Sequence, residues 1–109
     1  MIQLVEEKRE EIAALCRMYG VKRLEIFGSA ATGDFDSASS DLDFIVDFLD
    51  YDSGIAKRFV RFADAIEALF GRSADFLFNQ RIKNPYLREA VEESRELIYD
   101  AATDREAVA

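Results

Sequence analysis

Residues 41–48 read Asp41-Leu42-Asp43-Phe44-Ile45-Val46-Asp47-Phe48. Successive side chains of a strand point to opposite faces, so Leu42, Phe44, Val46 and Phe48 share one face, and Asp41, Asp43, Ile45 and Asp47 share the other. The first set asks for a core and the second for water or a cation. Residues two apart on a strand have Cα atoms about 7 Å apart, so the carboxylates of Asp41 and Asp43 can reach one site. Two such anions attract a hard cation, and Mg²⁺ is commonly held by one or two carboxylates together with substrate phosphates. Acidic pairs also flank many solvated strand edges, so the neighbouring sequence has to decide.

Upstream, Leu24 to Phe27 is a short apolar strand ending at Gly28 and Ser29. A missing Cβ lets phosphate approach backbone N–H groups there, and the serine hydroxyl can donate as well; an ordinary turn would use the same residues. The small and polar residues 29–40 form a loop or a tight helical turn. Downstream, Ile55, Phe59, Ala63, Ile66 and Phe70 recur at helical spacing, giving a helix over 54–70 that Gly71 stops. Asp75 opens a third strand, 75–78, among Ala74, Phe76, Leu77 and Phe78. A charge so placed calls for a metal, an arginine or a turn to cap.

Asn84 and Pro85 suit the N-cap and first position of a helix carrying Leu87, Ala90 and Val91, and 96–100 adds a last strand. At the other end, residues 3–19 read as a helix with Leu4, Val5, Ile12, Leu15, Cys16 and Tyr19 near one face, Lys8 interrupting that stripe and Gly20 ending it. The order is helix, strand, loop, strand, helix, strand, helix, strand. This is an α/β layout with helices covering a small sheet, whose parallel or mixed character the residues leave open. A single domain over 1–100 and a frayed tail over 101–109 are expected, since the tail has little to bury.

The totals narrow the chemistry. With 109 residues, 50% hydrophobic and 33% charged, the chain can pack one core. Its formal charge of −8 disfavours a long nucleic acid as main substrate. There is no His, which removes histidine bases and the commoner zinc sites, so chemistry must rest on carboxylates. Cys16, the one cysteine, reads as a small buried hydrophobe. The charged first twenty residues are unlike a signal peptide and no apolar run spans a bilayer, so a cytoplasmic protein without membrane contact is expected.

Taken together, GSAATGDFDSASSDLDFIVDF from Gly28 to Phe48 and the later ADFLF resemble the signature of minimal nucleotidyltransferases, in the polymerase-beta-like nucleotidyltransferase superfamily. The resemblance runs from the first helix to about Asp100. It implies the nucleotidyltransferase fold, a small mixed sheet flanked by helices. It further implies that Gly28 and Ser29 contact the triphosphate of ATP, that Asp41 and Asp43 carry Mg²⁺ (or Mn²⁺), and that Asp75 ligates one metal and helps deprotonate the acceptor hydroxyl. Two features depart from the family pattern: Thr32 stands where an arginine is usual, and the eleven residues between Ser29 and Asp41 make a spacer one longer than usual. Lys57, Arg58 and Arg61 could replace that charge or simply form a solvated helix face.

Stand-alone members resembling this chain are often antitoxins that transfer AMP to a tyrosine of a separately encoded HEPN-type ribonuclease toxin. The leading expectation is therefore transfer of AMP from ATP to such a tyrosine. Two alternatives remain: a nucleotidyltransferase-fold binding module that neutralises its partner by contact, and a small-molecule, aminoglycoside-type nucleotidyltransferase. A homo-oligomer is compatible with all three.

Overall fold

The computed structural model describes residues 3–28, 41–78 and 83–104. In chain order these form α1 (Gln3–Glu7), α2 (Arg9–Tyr19), β1 (Val21–Phe27), β2 (Leu42–Phe48), α3 (Ile55–Phe70), β3 (Ala74–Phe78), α4 (Pro85–Ser94), β4 (Glu96–Asp100) and α5 (Ala101–Asp104). The strands make one sheet in the order β3-β2-β1-β4. β1 runs antiparallel to both β2 and β4, whereas β2 and β3 are parallel, so the sheet is mixed.

The alternation along β2 sorts its side chains as expected. Leu42, Phe44, Val46 and Phe48 are buried with Leu24 and Ile26 of β1 beneath α2 and α3, which contribute Ile12, Cys16, Phe62, Ile66 and Phe70. β3 extends this layer: Phe44 stacks on Phe76 with ring centroids 5.3 Å apart, and Phe59 lies 5.1 Å from Phe78. A second, smaller cluster occupies the other sheet face, where Ile45 and Val91 are buried with Phe27 and Leu77 against them. That face is covered by α4 alone among the helices packed on these clusters. Removing a core ring such as Phe44 would cost about 3–5 kcal/mol.

Several boundaries differ from the sequence reading for identifiable reasons. The first helix kinks at Lys8, whose N–H donates to Val5 O, so it divides into α1, which buries Val5, and α2, which buries Ile12 and Cys16. β1 begins at Val21 rather than Leu24, because Val21 pairs with Phe48 and the register then shifts at Lys22. Such a bulge places one extra residue in a strand that composition alone does not mark. Asn84 caps α4 as expected, accepting from the N–H groups of Tyr86 and Leu87, with Pro85 at the first position. Ala101–Asp104, the start of the expected frayed tail, form a helical turn in which Asp100 accepts from Ala102 N–H. No helix among the described residues is long and apolar enough to cross a membrane.

Candidate functional site

Strand geometry builds the site. On β2, Asp43 points away from the main core, as does Asp75 on β3, because each alternates with a core ring, Phe44 and Phe76. The parallel register sets Asp43 directly beside Asp75 and Phe44 beside Phe76. Neighbouring strands are about 4.8 Å apart, so the two carboxylates sit side by side on the second face. Asp41 lies two residues before Asp43, just outside β2, and is exposed.

This arrangement shows in the electrostatics. Burial pushes the Asp43 carboxyl above the ordinary aspartate range, and the negative charges of Asp75 and Asp41 push it further. Among the described residues no cationic side chain forms an ion pair with any of the three. Nor does any set of three or more His, Cys, Asp or Glu side chains converge tightly enough, among these residues, to hold an ion by itself. A partial oxygen ligand set with excess negative charge is what Mg²⁺ uses when substrate phosphates and water complete its shell.

β1 delivers Gly28 to the same place. Phe27 pairs with Asp43, and Gly28 turns with φ 74°, a conformation that side chains rarely adopt. A Cβ there would lie 3.0 Å from Asp43 Oδ2, tighter than ordinary contact, so a side chain at this position would crowd the acid as well as strain the backbone. The sequence reading offers the Gly28 N–H to phosphate; in the structure it donates to Ser94 Oγ at 2.9 Å. Ser29 and Thr32 lie outside the described residues.

Two further residues on this face escape a sequence reading. Glu25, 4% exposed, receives two bonds of 2.7 Å from the Arg95 guanidinium and one of 3.0 Å from Arg23. Burial acts to raise its pKa, but the hydrogen bonds and charges of Arg95 and Arg23 prevail and hold the carboxyl below the usual range. Arg95 also binds Glu92, and Arg23 binds Asp100. Only the fold reveals the partnership, since 70 residues separate Glu25 from Arg95.

Other charged positions fall elsewhere. Lys57, Arg58 and Arg61 belong to α3, which covers the opposite sheet face, and Arg58 sits over the Phe48 ring at the far end of β2 from Asp43. They line a separate surface with Met18, Tyr19 and Asp52, away from the acidic pair. A more voluminous open cleft of about 510 Å³ runs between α2 and the β4–α5 junction, lined by Arg9, Arg17, Tyr99 and Thr103 among others. It contains neither acid nor glycine of the site, so volume is a poor guide to the chemistry here.

Comparisons with known proteins identify the family. The nucleotidyltransferase domain model matches residues 8–98. A Methanocaldococcus jannaschii protein named as a protein adenylyltransferase is 34% identical over 91 residues, covering 84% of this chain and 88% of that one. A solved structure described as a minimal nucleotidyltransferase superposes with a TM-score of 0.68 at 31% identity, covering 87% of this chain and 95% of that one. The same fold recurs, at 17% identity and a TM-score of 0.60, in a structure of a tri-AMPylated Shewanella oneidensis HEPN toxin with its MNT antitoxin, covering 94% of this chain and 78% of that one. A toxin-antitoxin structure with AMP-PNP matches at 21% identity and a TM-score of 0.64, over 91% of this chain and 78% of that one. With the family model spanning most of its length, the chain belongs to the nucleotidyltransferase domain family and is a nucleotidyltransferase.

Proposed function

We propose that this nucleotidyltransferase moves AMP from ATP to a tyrosine hydroxyl of a HEPN-type partner and acts as its antitoxin. The observation that carries the chemistry is the in-register pair Asp43 and Asp75, close together and matched by no cation among the described residues. The partner class is taken from same-fold complexes, one with an AMPylated HEPN toxin and one with a nucleotide analogue.

Asp41 and Asp43 would hold Mg²⁺ or Mn²⁺ with the triphosphate, and Asp75 would add a ligand from the neighbouring strand. Bound there, the metal would neutralise phosphate charge and ease ionisation of the acceptor hydroxyl. Gly28 leaves room beside Asp43 for the triphosphate, and Ser29 adds a hydroxyl donor. The acceptor oxygen forms a bond to the α-phosphorus while the bond to the bridging oxygen breaks. Pyrophosphate leaves with that electron pair, and Asp75 takes the hydroxyl proton.

The test combines the chain, α-labelled ATP, Mg²⁺ and the protein that co-purifies with it from its native cell. Label and AMP mass are expected on a partner tyrosine, with none in EDTA. A partner that is bound and silenced but never labelled, under Mg²⁺ and Mn²⁺ alike, would favour the binding-module reading, for which Thr32 in place of arginine is the argument.

A further inference from the structure

We propose that Ser94 is a positioning residue for the triphosphate-binding turn at Gly28, an inference that rests on the nucleotidyltransferase reading of the site. Gly28 is pressed against Asp43, and with no Cβ its peptide has wide rotational freedom unless something holds it. The hydrogen bond from its N–H to Ser94 Oγ does so, across 66 residues of sequence.

Ser94 is itself fixed from both sides. Three residues earlier, Val91 is buried against Ile45; immediately afterwards, Arg95 forks onto Glu25, which lies three residues before Gly28 on β1. The hydroxyl, at the end of α4, is thereby anchored to β2 through Val91 and to β1, the strand whose end it restrains, through Arg95. Such a clamp sets the direction in which β1 leaves the sheet beside Asp43, and so the placement of the triphosphate relative to the acids. Displacing a reacting group by about 1 Å can cost about 100-fold in rate, and supporting partners of a metal site are typically worth about 10- to 100-fold.

The experiment compares Ser94→Ala with Ser94→Thr in the full chain. Ser94→Ala should accelerate hydrogen exchange at the Gly28 amide about tenfold. It should also lower kcat/KM for AMP transfer about 10- to 100-fold, chiefly through KM for ATP, with KM for the acceptor protein unchanged. Melting should fall by no more than about 4–8 °C, the scale of one lost hydrogen bond. Ser94→Thr, which keeps the acceptor oxygen, should restore both exchange and KM. An active parent whose Ser94→Ala variant keeps its kcat/KM would overturn the role of Ser94 alone, as would equal damage by alanine and threonine. A parent that neither binds Mg²⁺–ATP nor transfers AMP would overturn the catalytic reading and this role together, whatever the Gly28 amide does.

Discussion

Asp43 is where burial and chemistry oppose each other. Its carboxylate is half-buried, lies beside Asp75 and feels Asp41, so its ionised form is costly in the metal-free protein. Asp43→Asn should therefore raise the melting temperature in EDTA and abolish Mg²⁺-dependent ATP binding, as scanning and titration calorimetry would show. Asp75→Asn should largely keep ATP binding and lower single-turnover transfer by at least about 10²- to 10⁴-fold, because an amide is isosteric but a poor base. If both variants lost binding equally, the division of labour between the strands would be wrong. These acids were legible because a period of two exposes them in each strand. The Ser94 bond to Gly28 and the Arg95 bonds to Glu25 were not, since each joins positions 66 or 70 residues apart and nothing local marks either partner.

At the level of elements, the end of α4 near Asn84 is the most exposed part of the helix: residues 83–89 are all exposed, and Leu87 fails to reach the sheet that Val91 touches. Its start therefore depends on the Asn84 cap and on Pro85 more than on packing. Asn84→Ala should cost about 1 kcal/mol, read as a lower urea midpoint at constant slope, and Asn84→Asp should recover most of it. Equal stability of the alanine variant would show that the turn holds without its cap. The cap was readable because Asn-Pro carries its mechanism in two adjacent residues. By contrast, the start of β1 was missed because Lys22 and Arg23 are polar in a strand whose second face is charged. The kink at Lys8 was visible only as an interruption of the apolar stripe. Strand order and the direction of β3 were likewise beyond a pattern of periods, and the family resemblance implied only that the sheet is mixed.

Across the whole molecule, a net charge of −8 means that mild acid first relieves repulsion. Glu25 acts in the other direction. Its folded pKa lies below the unfolded value, so the stabilisation is complete above the ordinary carboxylate range and is lost as pH falls through the folded pKa. Glu25→Gln should flatten the loss of melting temperature below about pH 5. At neutral pH it should cost about 3 kcal/mol, the lower end for breaking a buried pair, because Arg95 retains Glu92. Denaturant melts of parent and variant across that range decide the matter; parallel curves would count against it. The register between β2 and β3 has a wider consequence. A slip of one residue would turn Asp75 into the core and Phe76 and Phe78 toward water, so the aromatic layer acts as an error-correcting lock on the acids behind it. Tyr51, in the turn that leads into α3, belongs to the same lock, since its hydroxyl accepts from Phe48 N–H and its ring lies 6.3 Å from that of Phe78, so a substitution there should be felt as instability before any loss of transfer.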